Sequence, residues 1–106
     1  MDLEAVESAF RSALHQAGAA GLSELLQYDA PSGQQRQLPC ACGHHARYQA
    51  LRSKPVLTVL GPARVSRPYY WCAQCHTGQF PADLELDVDH TGFSPGVRRM
   101  LALVGQ

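Results

Sequence analysis

Lys54-Pro55-Val56-Leu57-Thr58-Val59-Leu60-Gly61-Pro62-Ala63-Arg64-Val65-Ser66-Arg67-Pro68-Tyr69-Tyr70-Trp71-Cys72-Ala73-Gln74-Cys75 sets the architecture. Val56 to Leu60 is rich in β-branched residues, Gly61-Pro62 signals a turn, and Ala63-Arg64-Val65-Ser66 resumes the extended pattern toward Tyr69-Tyr70-Trp71. The expected element is a β-hairpin that delivers a close pair of cysteines at its end. Arg47-Tyr48-Gln49-Ala50-Leu51 reads as a further strand, with Lys54-Pro55 as the break before the hairpin.

Upstream lies a second close pair, Cys40-Ala41-Cys42-Gly43, separated from Cys72 by 29 residues. Two cysteine pairs flanking a hairpin are what a zinc ribbon requires: each pair sits on a tight turn, and the hairpin brings the turns together around one tetrahedral Zn²⁺. Gly43 follows the second ligand, where the chain often needs positive φ; His76 holds the equivalent place after Cys75. Two disulfides or unrelated core thiols are the competing readings, and the absence of a secretory signal disfavours the first. Cys40, Cys42, Cys72 and Cys75 are the expected ligands of one structural zinc. CxC is tighter than CxxC, so Cys42-Gly43-His44-His45 leaves His45 open as a substitute for Cys40. A closed four-thiolate site leaves no position for water or substrate, so no catalysis is expected of it. His15, His44, His76 and His90 read as surface or turn residues.

On the N-terminal side, Leu3, Val6, Phe10, Ala13, Leu14 and Ala17 recur at spacings of three and four, the pattern of a helix with one apolar face. Asp2 is placed to cap it and Gly18 and Gly21 to end it, with Leu22, Leu25 and Leu26 in a further turn or two. Packing on its own domain is the expected use of the stripe, with dimerisation as the alternative. On the C-terminal side, Ser94-Pro95 opens a helix by N-cap and first-turn proline, and the chain stops at Gln106, as a truncated element would. The expected class is α+β: a small zinc-ribbon hairpin or three-stranded sheet flanked by two helical segments. The segments are a helical region over 1–29, a linker over 30–38, the ribbon over 39–82, an acidic connector over 83–93 and the start of a helix over 94–106.

A length of 106 residues fits one small domain and no large catalytic fold. Hydrophobic residues make up 45% and charged residues 17%, an ordinary globular balance that suggests neither disorder nor a membrane span. Met1-Asp2-Leu3-Glu4-Ala5-Val6-Glu7 is acidic where a secretory signal would be basic, so a cytoplasmic location is expected. Net charge is zero, yet the charges are segregated. Residues 1–29 carry five acids and one base, residues 30–82 six bases and no acid, and residues 83–106 four acids and two bases. The basic part coincides with the cysteines. Asp83, Asp87 and Asp89 read as a solvated connector.

Arg47, Arg52, Lys54, Arg64 and Arg67, with Tyr69, Tyr70 and Trp71 nearby, suit phosphate contact combined with stacking. Tyr70 is the aromatic expected at such a surface, and Trp71 with one tyrosine is expected in the core. The acidic flanks are the alternative partners for these bases. A protein-interaction ribbon, held through the apolar stripe and the hairpin edge, is the competing function. A thiol-redox role would need exposed, metal-free thiols.

The order of Cys40-Ala41-Cys42-Gly43, Lys54 to Val65 with its Thr-x-Leu-Gly turn, Tyr69-Tyr70-Trp71-Cys72-Ala73-Gln74-Cys75-His76-Thr77-Gly78 and Phe80-Pro81-Ala82-Asp83 resembles the N-terminal zinc-ribbon region of bacterial ISKra-type insertion-sequence transposases. The resemblance spans roughly residues 38–104. It implies a DNA-recognition module that holds insertion-sequence ends, with the acidic catalytic domain lying beyond this chain. DNA is then the expected partner and a homo-oligomer an open one, with neither a membrane nor a small-molecule substrate.

Overall fold

A computed structural model describes residues 1–104; the last two residues of the helix expected over 94–106 lie outside the described residues. The element order is α1 (Leu3–Leu25), a 3₁₀ turn (Gly33–Arg36), β1 (Gln37–Pro39), β2 (His45–Thr58), β3 (Gly61–Cys72), β4 (Thr77–Gln79), α2 (Pro81–Glu85) and α3 (Pro95–Val104). The strands form one antiparallel sheet in the order β1-β2-β3-β4, so the fold is the expected small α+β one with a fourth strand added.

The hairpin β2–β3 is the spine, and it is longer than the sequence suggests. β2 runs through Lys54-Pro55 without a break, because its proline and the two of β3 stand where no ladder donor is needed. Arg64 donates its N–H outward to Ser23 Oγ (3.0 Å) and Leu57 donates outward to the Gly92 carbonyl (2.7 Å). Pro55 pairs with Arg64, Pro62 with Leu57, and Pro68 lies two residues beyond Ser66, whose N–H also points outward to Leu26. All three prolines therefore occupy positions of the same outward parity. The turn itself falls at Val59-Leu60 rather than Gly61-Pro62. Thr58 Oγ1 accepts from Leu60 N (3.1 Å) and donates to the Gly61 carbonyl (2.8 Å), and Gly61 takes φ 115°, which only glycine adopts readily.

Helix α1 is capped by Asp2, which accepts from Ala5 N (3.2 Å), and it continues through both glycines to Leu25. Gly18 is there for contact: a Cβ at that position would stand 2.8 Å from Leu60 Cδ1, so its absence lets the hairpin tip press onto the helix. Only Ala19 of α1 is buried, against the expectation that the whole stripe packs on its own domain. Leu3, Phe10 and Leu14 are 63%, 68% and 69% exposed, because contact is confined to the C-terminal half. Past the helix, Leu26 and Tyr28 bond to Ser66 along the outer edge of β3, and Gly92 and Ser94 do the same for Leu57 on β2. Both edges of the hairpin are thereby partly covered.

Two small cores lie along the spine. One, Cys40, Ala46, Tyr70 and Cys72 with Leu38 and Tyr48, sits at the cysteine end. The other, Val56, Val65 and Val88 with Leu26 and Leu86, sits nearer the turn. The span expected as a linker contributes to the first: the 3₁₀ turn accepts a hydrogen bond from Tyr70 Oη at the Gln35 carbonyl (2.8 Å), and β1 pairs with β2. Ser94 caps α3 as expected, accepting from Val97 N at 3.2 Å. No helix among the described residues is long and apolar enough to cross a membrane.

Candidate metal centre and adjoining cleft

The β1–β2 and β3–β4 connections each fold into a tight turn carrying cysteines. At the first, Gly43 N donates to the Cys40 carbonyl (3.0 Å) and Cys40 N to the His44 carbonyl (2.8 Å), with Gly43 at φ 91°. At the second, His76 N donates to the Cys72 carbonyl (2.9 Å), with His76 at φ 57°. The left-handed positions expected after each pair are thus both used.

The hairpin brings the turns face to face. All four sulfurs, of Cys40, Cys42, Cys72 and Cys75, lie within 4.8 Å of one another. Cys40 Sγ is 3.4 Å from Cys75 Sγ, and Cys42 Sγ is 3.6 Å from Cys72 Sγ. Tetrahedral metal–sulfur bonds of about 2.3 Å place sulfurs about 3.8 Å apart, so the donor set fits a metal ion with little adjustment. Cys40 and Cys72 are buried while Cys42 and Cys75 are exposed. His45 stays outside the cluster, in register with Pro39 at the start of β2.

Crowding and hydrogen bonding spread the thiol acidities. The Thr77 hydroxyl, with Cys40 next in weight, draws Cys75 down to about 6, and backbone N–H groups of Cys75 and Gln74 help draw Cys72 down. Cys42 moves the other way, to about 12: a backbone hydrogen bond from His44 lowers it, but desolvation and the three neighbouring thiols outweigh that. Only thiolates ligate, so the lowering at Cys75 and Cys72 favours the form a metal ion requires and the raising at Cys42 opposes it. His44, exposed at the turn as expected, places Nδ1 3.6 Å from Cys42 Sγ, a contact of the kind that orients a ligand.

The basic residues divide into two groups. Arg67 is only 5% exposed, with Nε 2.9 Å from Asp83 Oδ1, Nη2 3.2 Å from Asp83 Oδ2 and Nη1 donating to the Arg52 carbonyl (2.9 Å). Lys54 Nζ donates to Asp83 Oδ2 (3.2 Å) and to the carbonyls of Val88 and Thr91. The expectation of a solvated Asp83 is therefore corrected: α2 inserts it, 3% exposed, between two cations. Both cations, expected at a nucleic-acid surface, are committed to the interior. Burial pushes the Asp83 carboxyl up, but the hydrogen bonds and charges of Arg67 and Lys54 prevail and hold it below its ordinary value. Tyr70 is also interior, and its hydroxyl is raised chiefly by burial.

Arg47, Arg52 and Arg64 remain exposed. Arg64 lies on the other face of the hairpin, its Nη1 3.4 Å from Ser53 Oγ. Arg52 lies over the Tyr69 ring at 4.0 Å, Tyr69 packs on Phe80 at 4.9 Å between centroids, and Arg67 lies over Phe80 at 3.8 Å. This cation–aromatic stack leads from the interior out to Arg52. Gly78 makes room for it, since a Cβ there would meet the Tyr69 hydroxyl at 2.5 Å.

Beyond the stack, Gln37, Arg47, Trp71 and Gly78 are successive register partners across all four strands and so share one face. A cleft of about 440 Å³ opens on that row beside the first cysteine turn, lined by Gln37, His45, Arg47, Gln49, Trp71 and Gln74 among others. Gln49 is the extra residue of a bulge between Tyr48 and Ala50. Trp71, expected in the core, is half-buried at this cleft, its ring edge-on to His76 at 6.0 Å, and Tyr70 takes the core place instead. Alternation along β3 foretells that Tyr70 and Trp71 face opposite ways; it does not say which way is inward.

No protein-family model, curated protein or solved structure matches this chain.

Proposed function

We propose that this chain is a DNA-binding zinc-ribbon module that takes part in recognising insertion-sequence ends, as its resemblance to ISKra-type transposases implies, with no catalysis of its own. The observation that carries the reading is the exposed face at the metal end, where Arg47 stands beside Trp71 at a cleft with no carboxylate among the described residues of its lining, and Arg52 lies over Tyr69 farther along. Zinc, held by Cys40, Cys42, Cys72 and Cys75, would fix the two turns and so hold this face rigid. Its role is structural, because four thiolates close the coordination sphere. With Lys54 and Arg67 committed to Asp83, fewer bases are left for phosphates than the sequence suggests. Two to four contacts through Arg47, Arg52 and the outlying Arg36 and Arg64 correspond to a slope of log K against log salt of about −2 to −4.

The test is DNA affinity across a salt series for the zinc-loaded chain and for Arg47→Glu with Arg52→Glu. Binding that weakens with salt, and is lost in the variant while its metal content and circular dichroism stay unchanged, supports the reading. Equal binding by the variant overturns it. Charge reversal at Arg67 would not serve, since it breaks a buried ion pair.

A protein-interaction ribbon is the second reading, favoured by the outward apolar residues Leu3, Phe10 and Leu14 of α1 and Met100, Leu101, Leu103 and Val104 of α3. Sedimentation of Phe10→Ser with Leu14→Ser separates the two: a change of oligomeric state with DNA affinity intact supports the second.

A further inference from the structure

The cleft at the metal end has a shape and a chemistry that a row of phosphate contacts does not need. We infer that it is a seat for an unpaired nucleotide, so that the DNA engaged by this module is single-stranded there rather than duplex. This inference rests on the DNA-binding reading above and makes it more specific.

Three observations carry it. First, Trp71 is half-buried at a cleft of about 440 Å³, within the range of small-ligand sites, and is positioned edge-on against His76. A fixed indole in such a cleft is a stacking platform, and stacking requires a base whose faces are free. In duplex DNA the faces are covered by neighbouring pairs and only the edges are offered. Second, the polar lining is suited to base edges. Gln37 and Gln74 each bring a carbonyl acceptor and an amide donor, and Gln49, set out of the regular ladder by the bulge, keeps its carbonyl while its amide donates to the Arg47 carbonyl (3.2 Å). Third, Arg47 is the register partner of Trp71, so a guanidinium for the phosphate stands beside the platform for the base. No carboxylate among the described residues lines the cleft to repel a polyanion. His44, which also lines the cleft, places Nδ1 3.6 Å from Cys42 Sγ.

A duplex reader would be built otherwise. It would spread several cations along a surface, whereas this face exposes only two arginines, and one of them is stacked on Tyr69.

Trp71 is the only tryptophan in the chain, so the cleft reports on itself. The experiment titrates the zinc-loaded full chain with a twelve-nucleotide oligothymidylate and with a mixed-sequence duplex of equal length, following tryptophan fluorescence and, in parallel, the anisotropy of labelled DNA. The expected result is quenching by the single strand and an affinity at least about tenfold above that for the duplex. Trp71→Leu should weaken single-strand binding by about tenfold, while Trp71→Phe, which keeps an aromatic face, should retain most of it. If Trp71→Leu loses its metal or its fold, Gln49→Glu with Gln74→Glu replaces it: carboxylates at these two surface positions should reduce single-strand affinity at unchanged metal content. Duplex bound as tightly as single strand, or single strand bound with unchanged fluorescence and unaffected variants, overturns the inference and leaves the DNA-binding reading standing. Absence of binding to either DNA overturns both.

Discussion

The middle of the hairpin and its metal end carry arginines on the same face of the same strand pair, with opposite fates. Arg67 in the middle is covered by α2 and held by both oxygens of Asp83, and Lys54 is drawn to the same carboxylate. Arg47, toward the metal end, has no such helix over it and stays at the open cleft. The strands do not distinguish the two residues; the element packed above them does. A basic segment read from sequence therefore overstates the available positive surface wherever a distant acid folds back onto it.

The largest effect should come from the metal end. On the proposed zinc reading, removing the ion with a chelator, or substituting Cys72→Ser, should abolish binding of one metal ion per chain and melt the core around Ala46 and Tyr70, because ligation of structural zinc in small domains contributes about 10–16 kcal/mol. Metal analysis with near-ultraviolet circular dichroism checks this; a chain that keeps its signal without metal would show that the ribbon does not depend on ligation.

Next comes the buried pair. Asp83→Ala should cost about 3–5 kcal/mol in denaturant unfolding, since it strands Arg67 and Lys54 without their counter-charge. Arg47→Ala should stay within about 0.5 kcal/mol. Equal costs for the two would erase the contrast between the regions.

The same carboxylate predicts a pH dependence. Asp83 titrates near 3.9 when unfolded and lower when folded, so its contribution is full above about 4 and is lost as pH falls through the folded value. Acid unfolding of the native chain should therefore show an extra fall in stability below about pH 4 relative to Asp83→Asn; parallel curves would contradict it.

The smallest effect concerns α1, where it meets the hairpin turn. Gly21 has open space around its Cα and Gly18 does not. Gly21→Ala should stabilise by about 0.5–1 kcal/mol, whereas Gly18→Ala should forfeit that gain by pushing against Leu60. Thermal melts of the two variants distinguish them.

Much of the fold was legible because its signals are local. Cysteine spacing with Gly43 and His76 located both turns, Asp2 and Ser94-Pro95 located two helix starts, and β-branched residues located the hairpin. The errors also share a cause. Pro55 reads as a strand break, Gly18 as a helix stop, Asp83 as solvated and Trp71 as core, and in each case the outcome depends on a residue far along the chain. Pro55 is tolerated because its nitrogen faces away from β3, and a glycine stands at position 18 of the helix because Leu60 needs the space.

By itself, then, the sequence determined the cysteine set, the hairpin and the segregation of charge, since these follow from residue type, spacing and backbone preference. Only the tertiary structure decided which side of the hairpin α2 covers, and with it that Arg67 and Lys54 are neutralised inside while Arg47 and Trp71 remain at the surface. The physical reason is that desolvation and pairing belong to contacts between distant segments, which no local pattern encodes.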